Sequence, residues 1–197
     1  MEYENVDFQG FRGDIYVKEA VIPEGASIIP KSQFFGCRSL EKVCLPESVS
    51  VIEDYAFADC NVLKVWESME KLSLKSVGIS AFENCYALEF ISLPDSLTVI
   101  EGAAFADCVS VNKLIFSDTS LLKKIGDHAF RGCRNLKEVY LPDSVEYVGI
   151  SAFRDCVSLE QISVSEKIKD QPGIAELEKN CPNARIRFRE VNSVEKE

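Results

Sequence analysis

The 197-residue chain has a single histidine, His128, and a single tryptophan. One imidazole starves most general-base, triad and zinc schemes before any motif is sought. Basic excess is also lacking: 22 Lys and Arg stand against 32 Asp and Glu, a net charge of −10. Such a surface repels a phosphate backbone and anionic lipid headgroups, so neither nucleic acid nor polybasic membrane docking is expected. No run approaches the roughly 18 apolar residues of a spanning helix, so no membrane insertion is expected. Residues 1–10 show no apolar leader core, and no Leu-Pro-x-Thr-Gly sorting motif stands near the end. By sequence alone the expected location is cytoplasmic. Cys-x-x-Cys pairs, a usual mark of thiol-ligated metals and redox couples, are missing as well. What remains, 46% hydrophobic and 27% charged residues, is an ordinary globular balance.

Seven of the eight cysteines keep a strict rhythm. Cys37, Cys60, Cys85, Cys108, Cys133, Cys156 and Cys181 are separated by 23, 25, 23, 25, 23 and 25 residues. Such a period belongs to stacked repeats. Phe34, Phe57, Phe82, Phe105, Phe130 and Phe153 each lie three residues before a cysteine. Leu40, Leu63, Leu88, Val111, Leu136 and Leu159 lie three after, and Val43, Trp66, Ile91, Leu114, Val139 and Ile162 six after. Leu45-Pro46, Leu93-Pro94 and Leu141-Pro142 recur 48 residues apart, so the duplicated unit is a pair of coils. One has 23 residues and the proline; the other has 25 and lacks it. Val17, Ala20, Ile22 and Pro23 mark a first coil without its cysteine. The division is an N-terminal cap over 1–13, a solenoid over 14–180, and a C-terminal cap with a frayed tail over 181–197. Coils start near 14, 37, 60, 85, 108, 133 and 156.

Within a coil, Val43 and Leu45 alternate with Lys42 and Cys44, which predicts a short two-faced strand. Proline with Glu or Asp and Ser then turns the chain. Val49-x-x-Ile52 is apolar again, and Gly78, Gly102, Gly126 and Gly149 follow it, where positive φ or a tight corner is expected. Ala-Phe-x-x-Cys puts ring and thiol on one face of a single helical or 3-10 turn. One coil cannot stand alone. It buries about five large apolar side chains at ~1.5–3 kcal/mol each, while fixing its residues costs at least ~1 kcal/mol apiece. Stacking removes the deficit, because each coil covers the next and the strands pair in parallel.

The repeat Cys-x-x-Leu-x-x-Val/Ile-x-Leu-Pro-x-Ser-Val-x-x-Ile-x-x-x-Ala-Phe-x-x-Cys spans about residues 14–160 and resembles the BspA-like class of leucine-rich repeats. The resemblance implies an α/β leucine-rich-repeat solenoid. It would be a right-handed curved stack of about seven coils, with a parallel β-sheet on the concave face and short helical or 3-10 turns elsewhere. It also implies cell-surface adhesion or recognition, and a surface or secreted location. The chain departs from the pattern at Glu67-Ser68, Ser117-Asp118 and Ser165-Glu166, which replace Leu-Pro in the longer coils.

At the ends, Val6, Phe8 and Phe11 are expected to cover the first coil. Ile174 to Asn180 reads as a short helix in which Glu178 takes the Phe position before Cys181, and Ile186 and Phe188 supply a last strand among arginines. Stacked strands bring successive cysteines within disulfide reach. A small thiol beside a packed ring is nonetheless a core residue, so free thiols are expected. Gly78-Ile79-Ser80-Ala81 and Gly149-Ile150-Ser151-Ala152 mimic the start of a nucleophile elbow. However, Phe82 and Phe153 replace its last glycine and no base is near. His128 takes a position held by Tyr55, Ser80 and Ser151 in sister coils, a variable surface position. No enzyme, cofactor or metal is expected.

What remains is surface. Positions five and seven after each cysteine point outward from the strands, and the middle coils carry Cys44, Val65, Phe90, Ile115 and Tyr140 there. Lys42, Glu67, Lys113 and Glu138 rim them, and an apolar stripe with a polar rim is the pattern of a protein-binding patch. Strand positions favour β-branched and aromatic residues in any case. Trp66 falls at an inward position. Cys44, off the rhythm and beside Lys42, is a candidate reactive thiol. The expected protein is a monomeric, non-catalytic scaffold that binds a protein or peptide on its concave face. A glycan- or host-surface-binding adhesin module and a structural spacer are the alternatives.

Overall fold

The structure, a computed structural model, describes residues 11–67 and 73–190; the side chains of Val65, Trp66 and Glu67 lie outside the described residues, as do Val6 and Phe8. Long and short strands alternate along the chain. The first coils give β1 (Glu19–Val21), β2 (Ile28–Ile29), β3 (Lys42–Cys44), β4 (Val51–Ile52), β5 (Val65–Glu67), β6 (Ser76–Val77) and β7 (Phe90–Ser92). The rest give β8 (Val99–Ile100), β9 (Lys113–Ile115), β10 (Lys124–Ile125), β11 (Glu138–Tyr140), β12 (Tyr147–Val148), β13 (Gln161–Ser165) and β14 (Arg185–Arg189).

Among the described residues all pairings are parallel, in two ladders. The two-residue strands form one unbroken ladder from β2 to β12. The sequence pattern showed Val49-x-x-Ile52 as an apolar turn only, and this second sheet is an addition to the expected architecture. The long strands run in three pieces, β1-β3-β5, β7-β9 and β11-β13-β14. Both breaks follow the strand of a 25-residue coil. After β9 the inserted Ser117 and Thr119 donate their hydroxyls back to the Asp95 carboxylate of the preceding coil. That tie holds the strand to its predecessor, while β11 lies beside it without registered pairing. Packing follows the alternation. The middle residues Ala20, Val43, Ile91, Leu114, Val139 and Ile162 of the long strands are buried, as are the second residues of every short strand.

Ala-Phe-x-x-Cys does not form a helical or 3-10 turn. It forms a chain of turns in which residues five and one before the cysteine take positive φ. Between them the Phe N–H reaches the next coil: Phe57 N to Ala81 O at 2.7 Å, Phe82 N to Ala104 O at 2.7 Å, Phe105 N to Ala129 O at 2.8 Å. The six rings from Phe34 to Phe153 are buried and stacked, with centroids 5.1 to 5.5 Å apart. This is the coil rise imposed on aromatic planes. Phe11 extends the column at 5.4 Å from Phe34. In two of the three Leu-Pro-x-Ser steps the serine ties neighbouring coils together, since Ser48 and Ser96 donate to the Ala26 and Leu74 carbonyls of the coil before, both at 2.8 Å.

Two local expectations are corrected. Gly78, Gly102, Gly126 and Gly149 do not take positive φ. Three of them are needed for close approach instead, since a Cβ at Gly78, Gly126 or Gly149 would lie within 2.6 Å of backbone nitrogen in the previous coil. The expected helix over Ile174–Asn180 is two single turns, α1 (Pro172–Ala175) and α2 (Leu177–Asn180), which meet at Glu176. That rotation buries Leu177 and leaves Glu178 outside, so the ring column ends at Phe153.

Candidate functional site

The outward residues of the long strands form two columns, set by register. One runs Glu19, Lys42, Val65 and, after the break, Phe90, Lys113; the other runs Val21, Cys44, Glu67 and then Ser92, Ile115. Beyond the second break Glu138, Gln161 and Arg185 continue the first column, and Tyr140, Ser163 and Arg187 the second. The apolar residues therefore change column along the stack: Cys44 stands in the second, Val65 and Phe90 in the first, Ile115 and Tyr140 in the second. They follow a zigzag across the sheet. Phe90 and Tyr140 are 44% and 52% exposed, far above the buried Ile91 and Val139 beside them on the same strands. Cys44, Lys42 and Ile115 are half-buried, while Lys113 and Glu138 are exposed. Val65 and Glu67 belong to this face by register, and their side chains lie outside the described residues.

Tyr140 is roofed from the C-terminal cap. The Arg189 guanidinium lies 3.8 Å from its ring centroid and donates to Ser163 Oγ at 2.8 Å, Leu141 O at 2.6 Å and Asp143 Oδ1 at 2.7 Å. Sequence reasoning placed β14 as a cap and missed this clamp, which joins residues 48 apart. Phe90 is left as the aromatic on this face with no such cover among the described residues. Lys31, by contrast, stands over Tyr55 on the turn side at 5.9 Å.

The seven rhythmic thiols serve the stacking of the coils. Each of the seven rhythmic thiols donates to the Phe carbonyl of the coil before, as in Cys60 to Phe34 O at 3.1 Å and Cys108 to Phe82 O at 3.2 Å. Burial pushes these thiols up, to about 11 at Cys37 and Cys181 and well above the ordinary value at Cys85, Cys108 and Cys133. A thiol so raised is a poor nucleophile and a poor metal ligand. Ser80 and Ser151 are buried, both at positive φ, and the Ser151 hydroxyl faces the Glu176 carboxylate at 3.3 Å. His128 is half-buried at φ 59°, with Nδ1 enclosed and without a hydrogen-bond partner among the described residues. Among the described residues no three His, Cys, Asp or Glu side chains converge as for a metal ion, and no helix is long and apolar enough to cross a membrane.

The sequence matches the pattern described as the BspA type leucine rich repeat region, in 6 copies, over residues 4–119 and 68–172. No curated protein matches the chain. Among solved structures it is similar to the T. pallidum leucine rich repeat protein, at 27% identity and a TM-score of 0.54, over 89% of this chain and 74% of that one. It is similar to the pneumococcal vaccine antigen PcpA at 27% identity and a TM-score of 0.65, over 76% of this chain and 41% of that one. A leucine rich cell surface protein from Faecalibacterium prausnitzii shares the fold at 22% identity and a TM-score of 0.56, over 94% of this chain and 63% of that one. The chain thus spans less than two thirds of the last two proteins. Repeats of this kind are typically non-catalytic binding scaffolds and commonly mediate protein interactions. With most of its length carrying the pattern, and a parallel solenoid of about seven turns behind it, the chain belongs to the BspA type leucine-rich repeat family.

Proposed function

We propose that the chain is a repeat scaffold that binds a protein or peptide on its long-strand face. The carrying observation is Phe90, an exposed aromatic on a strand whose inner side already supplies the core, next in register to Lys113. Ile115 stands two register pairs away on the second column, so an apolar anchor and a charged rim meet on one rigid support. A glycan platform is less well supported, because Tyr140 already carries Arg189 on its ring. An exported or surface location is part of the proposal, and the name of the Faecalibacterium cell surface protein supports it.

The test is selection of random displayed peptides on the immobilised, folded chain. Aromatic anchors carry much of the affinity in such patches, so Phe90→Ala should weaken the selected peptides by ~1–3 kcal/mol, about 5- to 150-fold, with an unchanged unfolding midpoint. Ile115→Ala should weaken them less, and His128→Ala should do nothing. Peptides that bind Phe90→Ala and Ile115→Ala as well as the parent chain would move the interaction off this face.

A further inference from the structure

The residue immediately before each rhythmic cysteine from Cys37 to Cys156, or before Asp14 in the first coil, forms a column along the turn side. It runs Gly13, Gly36, Asp59, Asn84, Asp107, Gly132 and Asp155, all at positive φ. In most coils a carboxylate or amide fills this column. Asn84 donates to Asp59 Oδ1 at 2.8 Å, and Asp107 pairs with Arg131 at 2.6 Å. The single gap at Gly132 is closed by its neighbour, since a Cβ there would lie 2.2 Å from Asp107 Oδ1. Gly13 and Gly36 are different. They are consecutive in the column, and among the described residues a Cβ at Gly13 would meet nothing within 4 Å, and one at Gly36 only Gly13 Cα at 3.8 Å. The result is a trough of about 460 Å³ lined by Arg12, Gly13, Ile15, Phe35, Gly36, Arg38 and Asp59.

Its lining is unusual for this molecule. Arg12 and Arg38 both line it, and among the described residues neither has a carboxylate partner, in a chain of net charge −10. Asp14, two residues after Arg12, is occupied by the backbone N–H groups of Tyr16 and Val17, and Glu41, three residues after Arg38, pairs with Lys64 at 3.4 Å. Arg12 lies over the Phe35 ring at 5.4 Å, and Ile15 is exposed beside it. The floor is held in place by Gly13 N to Phe35 O at 2.7 Å and Gly36 N to Ala58 O at 2.8 Å. Two guanidinium groups select a carboxylate or phosphate. Asp59, at the end of the hollow, works against a doubly charged phosphate, and the Phe35 and Ile15 side chains offer a wall to an apolar group.

We propose that this trough is a binding site for an amphipathic monocarboxylate, its carboxylate held by Arg12 and Arg38 and its apolar part against Phe35 and Ile15. The chemistry is shared by a free aromatic acid and by an acidic residue with apolar neighbours in a peptide. The site lies on the turn side of the coils and stands apart from the long-strand face.

The test follows the Gly13 and Gly36 amide resonances of the full chain during titration with 3-phenylpropionate, with an acetylated and amidated Phe-Asp-Phe peptide, and with inorganic phosphate. At least one carboxylate probe should give saturable shifts, and phosphate should bind at least tenfold more weakly. Gly36→Asn fills the hollow with a residue the same column accepts at positive φ in Asn84, and should cut affinity at least tenfold. Arg12→Gln combined with Arg38→Gln should do the same, which keeps the proposal testable if either variant is unstable by its unfolding midpoint. Tighter binding of the peptide assigns the site to a protein segment; tighter binding of the free acid assigns it to a small molecule. Unsaturable shifts with both carboxylates, phosphate binding as tight as theirs, or full affinity in Gly36→Asn would overturn it.

Discussion

Each Phe carbonyl of the turn accepts the N–H of the cysteine three residues later and also the thiol of the following coil, as Phe82 does from Cys85 N at 3.2 Å and Cys108 Sγ at 3.2 Å. Cysteine suits the position because it is small, tolerates an apolar site and still carries a weak donor. The spacing in the sequence identifies these thiols as core residues, but not their acceptor, since the carbonyl belongs to a residue 26 or 28 positions away. The Gly, Asp or Asn before each cysteine from Cys37 to Cys156 was equally visible, and it marks the left-handed residue that makes the segment a chain of turns and not a helix. Burial has a consequence for pH. A thiol whose folded value is raised favours the neutral form, so its stabilisation is full below the ordinary value of 9.0 and is lost as pH rises beyond it. Each such thiol should contribute a fall of about 1.4 kcal/mol per pH unit once the unfolded chain ionises. Denaturant titrations between pH 9.5 and 10.5 should therefore show a steep loss of stability, shallower by about that amount in Cys108→Ala. Equal slopes in the two proteins would mean that the central thiol does not couple to folding.

Elements of two residues escape a periodicity argument, and that is why the short-strand ladder went unseen. Val51–Ile52 or Tyr147–Val148 offers one buried and one outer side chain, too little alternation to distinguish a strand from a turn. The three-residue strands, flanked by a fixed leucine and a proline turn, were legible, and so was which of their residues face outward. Their interruptions were not, because they depend on contacts such as Asp95 with Ser117 in the next coil. Glycines show the same limit. Nearness to the apolar pair groups Gly102 with Gly126 in the sequence, yet their environments differ. A Cβ at Gly126 would lie 2.5 Å from Gly102 N, whereas one at Gly102 would meet only Asp127 O at 3.3 Å. Gly126→Ala should thus force adjacent coils apart and cost ~1–3 kcal/mol. Gly102→Ala should stay within about 0.5 kcal/mol of the parent, its contact offset by reduced freedom of the unfolded chain. Chemical denaturation of both variants checks the contrast, and equal losses would show that coil spacing is not set at Gly126.

A stack in which every coil touches only its neighbours distributes its stability along one axis, so its ends open before its centre. The number of coils followed from the cysteine rhythm together with Val17, Ala20, Ile22 and Pro23, which mark a first coil without its cysteine. How the stack closes did not, because Arg189 stands in a segment whose repeat pattern has already decayed, and a single arginine among several gives no sign of its reach. The molecule places that arginine where it binds three coils of structure together. β14 pairs with β13 over five residues, and the guanidinium then passes β13 to hold Leu141 O and Asp143 and to cover Tyr140. Opening of the last coil must break all of these contacts. The thiols report such opening directly, because Cys181 and Cys156 react with a thiol-reactive disulfide only when the coil over them separates. In Arg189→Ala the labelling of Cys181 under native conditions should rise about tenfold, equivalent to roughly 1.4 kcal/mol of lost end stability. Cys156 should rise less, and Cys108, well inside the stack, should keep its parent rate. Residue-resolved mass spectrometry after timed labelling distinguishes the cases. If Cys108 accelerates as much as Cys181, the solenoid opens as a single unit and Arg189 stabilises the whole of it, since a local latch would leave the centre of the stack untouched.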